Sequence, residues 1–570
     1  MRIALLPLNP TVGAVERNAA LALDALRAHA GRADLAVLPE MFLTGYPPRD
    51  LLQQSGFVEQ AMRAAEVLAE QAPPGLTALV GCPWRVGARG VANALLVLRD
   101  GAIERRYHKR LLPTYDVFDE DRYFVAGDQP VVVEVGGLRV GLSVCEDLWR
   151  GADAGALERY AGRPDPVEDL AALDIDLLVN PSASPFVLGK QRVQEDILRR
   201  HCRERSIAVA SVNQLGGNDD LVFDGRASVY IPDAADPDGA RLVGASPPFS
   251  GEPLIVDLPA DRKARADLPR VANPLESTPD EALLWRALVL GTRDYCRKTG
   301  FSKVVLGVSG GIDSAVAACI AAAALGPAQV QALAMPSRYS SDHSLADAKT
   351  LCANLGVPMQ TVPIEPAHAA AESMLRPGFD ALALPAEHGL AEENIQSRIR
   401  GLILMAFSNK AGALAITTGN KSEMAVGYCT LYGDMNGGLA VLADVTKALV
   451  YRLAEWINAN PGAAGFNSAP IPDSSIGKAP SAELRPNQTD QDSLPPYDTI
   501  DEIVERFVER KQSPVDIARE SGFDADTVHR VVRLIQTSEF KRKQAAVGLK
   551  VTSVAFGAGR RFPIAQGWKP

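Results

Sequence analysis

At 570 residues the chain exceeds what one hydrophobic core serves, since single cores rarely grow beyond about 250–300 residues. Its 47% hydrophobic and 22% charged residues match ordinary globular proteins, with no segment long and apolar enough to cross a bilayer. A net charge of −10 excludes a bulk positive field for nucleic-acid backbones, so neither nucleic acid nor membrane is an expected partner. The seven cysteines are scattered, with no Cys-x-x-Cys pair; they suit reduced thiols in a cytoplasm, not a disulfide framework or a zinc site.

The apolar start, residues 3–8, is cut short by Pro7, Asn9 and Pro10 and reads as a first strand, not a signal peptide. Further strands are predicted over 35–38, 78–81, 94–98, 138–144, 177–179 and 207–212. Helices are predicted over 16–29, 56–71 and 190–205, where apolar residues recur at helical spacing. Strands and helices alternate, which implies a sheet covered by helices. After the apolar run 253–258 the chain turns polar and proline-containing, and Ser277-Thr278-Pro279-Asp280-Glu281 marks a helix start. The expected division is a first domain over 1–262, a linker over 263–276 and a second domain over 277–570.

The second half opens with a helix to about Thr299 and then repeats strand–helix units, with strands over 304–308, 330–335, 359–362 and 414–417. That pattern predicts a doubly wound parallel α/β sheet. Residues 470–496 are rich in Pro, Ser, Asp and Gln and are expected to form a mobile loop, long enough to serve as a lid over a ligand. Helices are predicted over 499–511 and 524–543. No solenoid repeat and no low-complexity tract interrupts the chain.

Two constellations carry chemistry. The run Gly307-Val308-Ser309-Gly310-Gly311-Ile312-Asp313-Ser314 follows the apolar Val304-Val305-Leu306 and opens an Ala-rich segment, the order strand, turn, helix. Such a turn presents backbone N–H groups and a helix N-terminus to phosphate oxygens. No P-loop lysine follows the glycines, so N–H groups and hydroxyls must hold the anion, with Asp313 placed to help with a cation. In the first half Glu40, Lys109 and Cys145 each stand at or near the end of an apolar run. Cysteine attacks as the thiolate, a carboxylate takes its proton, and a lysine cation stabilises the thiolate or an oxyanion. His108, beside the lysine, reads as a packing or surface residue.

The strings around these residues resemble known families. Ser-Gly-Gly-Ile-Asp-Ser, from Ser309, resembles the pyrophosphate loop of ATP pyrophosphatases, which cleave ATP to AMP and pyrophosphate. Leu38-Pro39-Glu40-Met41-Phe42, Lys109-Arg110-Leu111-Leu112-Pro113 and Cys145-Glu146-Asp147-Leu148-Trp149 resemble the nitrilase superfamily in order and spacing, over about the first 260 residues. That superfamily implies an α-β-β-α sandwich and a Glu–Lys–Cys triad that cleaves C–N bonds through an acyl-enzyme. With Met335-Pro336-Ser337-Arg338, Glu392-Glu393-Asn394-Ile395-Gln396-Ser397-Arg398, Thr417-Thr418-Gly419-Asn420-Lys421-Ser422-Glu423, Lys478-Ala479-Pro480-Ser481 and Glu539-Phe540-Lys541-Arg542, the whole chain is similar to the glutamine-dependent NAD+ synthetase family. The family often has Asn where this chain has Thr114; either residue offers a hydrogen bond.

This resemblance implies roles by position. Glu40 would be the general base, Lys109 the oxyanion and thiolate partner, and Cys145 the nucleophile, helped by the next main-chain N–H. Tyr115, Ser184 and Lys190 would bind glutamine. Residues 307–314, Arg338 and Thr418 would bind ATP, and Asn394, Glu423 and Lys541 deamido-NAD+. Asp313 and Glu423 would ligate Mg2+. A dry passage for ammonia between the sites and a homo-oligomer are also implied. A ligase of the same loop class acting on another carboxylate would share residues 309–314 without needing residues 392–398 or 417–423. A nucleotide-binding regulator with an inactive amidase half would bind without turnover.

Overall fold

The apolar runs of the first 260 residues pair into two six-stranded sheets of one plan. The computed structural model describes residues 1–149, 160, 162–385 and 387–568, in two units, Met1–Leu283 and Leu284–Pro570. The first sheet holds β1 (Arg2–Leu5), β2 (Leu35–Val37), β3 (Thr77–Arg85), β4 (Val91–Arg99) and β5 (Ala102–His108). The second holds β6 (Val132–Val135), β7 (Leu138–Leu142), β8 (Leu177–Ser182) and β9 (Ala208–Asn213). A hairpin, β10 (Leu215–Asn218) with β11 (Leu221–Asp224), precedes β12 (Ala227–Pro232) and β13 (Ala240–Ala245), and β14 (Leu254–Asp257) returns to the first sheet. The orders are β14-β1-β2-β3-β4-β5 and β13-β12-β9-β8-β7-β6. In each, three consecutive parallel strands are flanked by antiparallel ones.

Ile3, Leu5, Val37 and Leu79 of one sheet meet Val140, Leu142, Val179 and Ala210 of the other in a single buried cluster. The outer face of the first sheet is covered by α1 (Val15–His29) and α2 (Phe57–Gln71), through Ala22, Leu26, Ala61, Ala65 and Leu68. After the short α3 (Pro166–Ala171), α4 (Lys190–Arg205) covers the second sheet with Ile197, Leu198 and Cys202. The result is the expected α-β-β-α sandwich. β3 and β4 run longer than predicted because their antiparallel pairing continues past Gly81, with Pro83 opposite Asn93 and Arg85 opposite Val91. Gly81 is required there: a Cβ would lie 2.2 Å from Met41 N, so only glycine lets β3 press against the backbone that carries Glu40.

The second unit begins within α5 (Asp280–Thr299) and builds an all-parallel sheet. Its strands are β15 (Val304–Gly307), β16 (Val330–Ala334), β17 (Met359–Thr361), β18 (Leu414–Thr417), β19 (Leu439–Ala440) and β20 (Val547–Gly548), ordered β17-β16-β15-β18-β19-β20. The chain moves outward one way from β15, returns to its other side at β18 and continues outward. The switch point of such a doubly wound sheet lies between those two strands, and ligands bind at the carboxyl ends there. Crossovers include α6 (Ile312–Leu325), α7 (Asp342–Leu355), α8 (Glu365–Ala381) and α9 (Leu390–Ala411), followed by α10 (Lys421–Val426) and α11 (Lys447–Ala459).

Three expectations need correction. Residues 470–496 are not all loop: Asp473–Gly477 is helical and Asp490–Asp492 forms a 3-10 turn. Asn458 anchors this stretch by both side-chain atoms to the backbone of Ile471, which the polar composition concealed. The helix predicted over 499–511 stops at Val504 and widens into a π turn, Glu505–Glu509. That predicted over 524–543 breaks at Ser538 into Ala525–Thr537 and Glu539–Arg542.

Two candidate active sites

In the first unit the buried ammonium of Lys109 bridges two carboxylates, 2.8 Å from Glu40 Oε1 and 2.8 Å from Glu120 Oε1. Both Glu40 oxygens are further fixed: Asn93 Nδ2 donates to Oε1 at 2.7 Å, and Ala183 N–H donates to Oε2 at 2.9 Å. Tyr46 OH donates to Glu120 Oε1 at 2.8 Å. Burial pulls the Lys109 ammonium down, but Glu120 and Glu40 together hold it well above the usual lysine range. Glu120 is pushed up to about 7 by burial, against the pull of Lys109. Burial and then the Glu40 charge push the Cys145 thiol up, with Lys109 opposing. The sulfur therefore keeps its proton at neutral pH.

Cys145 follows β7 and opens a 3-10 turn, Cys145–Leu148, with φ +44. A non-glycine residue in the left-handed region costs of order 1–3 kcal/mol and persists only where surroundings enforce it. Asp147 enforces it. Its carboxylate, fully buried, accepts from Val144 N–H at 2.9 Å and Tyr107 OH at 2.7 Å, and from the N–H groups of Arg110 and Leu111 at 3.1 and 2.9 Å. One side chain thus ties the cysteine turn to the lysine segment.

The residues expected to bind glutamine gather nearby. Tyr115 OH donates to Glu146 Oε2 at 3.0 Å and its ring meets Phe118 edge-on at 5.2 Å. Lys190 Nζ donates to Ser184 Oγ at 2.9 Å and lies over the rings of Trp149 and Phe118. Thr114 is exposed, and His108 is half-buried, its pKa lowered by burial.

In the second unit a cavity of about 320 Å³ opens at the switch point, lined by the loop after β15 and by Thr418 after β18. Ser309 Oγ accepts from Gly311 N–H at 3.2 Å, and Ser314 Oγ accepts from Ser309 N–H and donates to Gly311 O. Gly310, at φ +82, packs so closely that a Cβ would sit 2.2 Å from Ser344 O. Asp313 and Glu423 both line the cavity, and Lys447 Nζ stands between them at 2.5 and 3.4 Å. Burial pushes Glu423 up to about 8, opposed by Lys447 and reinforced by Asp313. Asp313 and Glu423 are hard oxygen donors beside the 307–314 loop, the donor type Mg2+ takes together with substrate phosphates, and the Lys447 ammonium that pairs with both would have to yield to the cation.

Residues 2–265 match the carbon-nitrogen hydrolase family and residues 284–545 the NAD synthase family. Over its full length the chain is 45% identical to the glutamine-dependent NAD(+) synthetase of a Synechocystis strain, covering 100% of this chain and 99% of that protein. The chain belongs to the glutamine-dependent NAD+ synthetase family. The Thermotoga maritima synthetase is 40% identical over 100% of this chain and 99% of its own. The solved synthetase of Acinetobacter baumannii, in complex with ADP, is 33% identical, with a TM-score of 0.75 over 100% of this chain and 99% of its own. This member is accordingly an ATP-dependent ligase with a nitrilase-like glutaminase half.

The synthetase half gathers some of its expected residues and not others. Asn394 accepts from Thr430 Oγ1 at 2.7 Å, and Lys541 Nζ donates to Gly427 O and Cys429 O at 2.7 Å each, so both hold the 427–430 turn that follows α10. Arg338 stands outside the cavity lining, gripped by Glu365 at 2.5 Å and Glu372 at 3.3 Å. Sequence reading missed Glu120, Asn93 and Asp147 in the first site and Lys447 and Asp434 in the second. Glu120, Asn93, Asp147 and Lys447 are polar residues fully or nearly buried, and Asp434 is exposed within the cavity lining, placements that only the tertiary fold reveals.

Proposed function

We propose that Cys145 is the glutaminase nucleophile, Glu40 its base and Lys109 the stabiliser of developing negative charge. The observation that carries this reading is the Lys109 ammonium locked between Glu40 and Glu120 beside a strained cysteine. Glu40 takes the thiol proton as Sγ attacks the glutamine carboxamide carbon. Lys109 and the Glu146 N–H stabilise the oxyanion. The proton passes to the leaving nitrogen, ammonia departs, and Glu40 activates water to hydrolyse the glutamyl thioester to glutamate. Tyr115, Ser184 and Lys190 hold glutamine.

In the second unit residues 307–314 and Thr418 hold ATP, with Arg338 swinging from Glu365 to reach it. Asn394, Glu423 and Lys541 set the deamido-NAD+ side. Asp313 and Glu423 would hold Mg2+, which when bound supplies positive charge against the phosphate oxygens. The nicotinate carboxylate attacks the α-phosphorus and pyrophosphate leaves. Ammonia then attacks the adenylate carbonyl carbon, AMP leaves, and one proton is released. The substrates are glutamine, ATP and deamido-NAD+, and the reaction belongs in the cytoplasm. Purified protein given these three with Mg2+ is expected to form NAD+, AMP, pyrophosphate and glutamate in equal amounts. ATP and glutamine consumption without NAD+ would overturn the reading.

A further inference from the structure

Behind Ser184 lies a polar pair that the reaction scheme does not use. The Asn213 side chain grips the backbone of Ser184 at two points: Ser184 N–H donates to Asn213 Oδ1 at 2.8 Å, and Asn213 Nδ2 donates to Ser184 O at 2.9 Å. The same Nδ2 donates to Asp224 Oδ1 at 2.8 Å. Asn213 closes β9 in register with Ser182, the last residue of β8, so it faces the chain where it leaves the sheet. The β10–β11 hairpin then brings Asp224 back beside Asn213, where Arg226 N–H donates to the same Oδ1 at 3.2 Å. Asn213 and Asp224 are both buried.

The geometry points to Asn213, oriented by Asp224, as a positioning residue for glutamine hydrolysis. An amide has two faces of opposite sense, and a flipped Asn213 would set NH2 against Ser184 N–H and C=O against Ser184 C=O. Both bonds would be lost together. Only a donor pleases the Asp224 carboxylate, so Asp224 selects the productive face through a charge-assisted bond. The held segment is short and does two jobs. Ala183 N–H fixes the second oxygen of Glu40 at 2.9 Å, and Ser184 Oγ accepts from Lys190 and from Gln194, each at 2.9 Å. The clamp therefore sets both the base and the substrate-binding hydroxyl. This inference rests on the reading of Ser184 as a glutamine contact and of Glu40 as the base.

The test is glutamine-dependent NAD+ formation by the full chain, measured relative to ammonia-dependent formation by the same preparation, so that loss of fold cancels. In Asn213→Ala and in the isosteric Asp224→Asn, kcat/KM for glutamine relative to the ammonia rate should fall about tenfold or more, mostly through KM. If Asp224 acts through Asn213, the Asn213→Ala/Asp224→Asn double variant loses no more than Asn213→Ala alone. Unchanged ratios, or losses that multiply, would overturn the clamp. Ser184→Ala separates the two claims. A raised KM there with normal Asn213→Ala kinetics sinks the clamp alone, whereas an unchanged KM sinks the Ser184 reading and leaves the clamp judged by the kcat and cycle results.

Discussion

Lys109 shows how one cation controls two acids. Replacing it by Met leaves Glu40 and Glu120 buried with no counter-ion, a loss of about 3–5 kcal/mol of stability together with all glutamine hydrolysis. Glu120→Gln is the milder change, because Gln still accepts from Lys109 and Tyr46 but brings no charge. We expect glutamine hydrolysis to fall by about 10²-fold with the fold intact, and normal turnover would rule Glu120 out of the charge balance. Asp434 poses a different question, because it lines the second cavity with its side chain open to solvent there and accepts the Thr430 N–H at 2.7 Å. Partial loss of hydration among its neighbours pushes its carboxyl up to about 6 from an ordinary 3.8. The native state then keeps a proton that the unfolded chain has released, so stability falls as pH rises through that interval. Asp434→Asn removes this penalty and should gain stability at pH 7 and less at pH 5, both gains held small by solvent screening of the exposed carboxyl. Urea unfolding at the two pH values measures it, and an equal gain at both would refute the assignment.

At the scale of elements, the segment 470–496 is tied down at several points, and Glu483 gathers the most bonds of them. Glu483 accepts from Ser341 Oγ at 3.1 Å, Ser344 Oγ at 2.6 Å and Lys478 Nζ at 2.8 Å, while Ser475 Oγ donates to Gly310 O at 3.0 Å. Burial alone would raise the Glu483 carboxyl, but the bonds from Lys478 and Ser344 win and hold it below the usual range. The latch is thus present at neutral pH and weakens as pH falls through that lowered value. Glu483→Gln removes charge-assisted bonds that contribute about 1.5–3 kcal/mol. Trypsin should cut faster at Lys478 and Arg485, and KM for ATP should rise severalfold while glutamine hydrolysis stays unchanged; an unchanged digestion rate would show that Glu483 does not hold the segment. This latch was illegible in the sequence because its partners come from two distant stretches of polar residues. Elements with their own periodicity were legible: the helix Lys190–Arg205 and the strand Leu414–Thr417 fall where apolar spacing puts them. Glu40, Lys109 and Cys145 were legible through their flanking strings. Glu120 was not, since it lies in the polar turn Glu120–Arg122 and becomes special only when the fold buries it against Lys109.

At the scale of the molecule, two chemistries share only one small product. The carbon-nitrogen hydrolase match ends at 265 and the NAD synthase match starts at 284, and the residues named for each candidate site fall within one unit. If ammonia is the sole currency between them, removing its source must leave its consumer intact. Cys145→Ala keeps the buried Lys109 pair and deletes only the sulfur, so the fold should persist. We expect glutamine-dependent NAD+ formation to disappear while ammonium salts restore it. The restored rate should climb with pH, because only neutral ammonia carries a free lone pair and ammonium predominates near pH 7. Glutamine should support no synthesis in this variant at any pH. Equal loss of glutamine- and ammonia-dependent synthesis would mean that Cys145 also serves the ligase reaction. A flat pH profile with ammonium would mean that the second unit itself deprotonates the bound cation, a task for which Asp434 and Glu423 are two of the carboxylates that line the cavity.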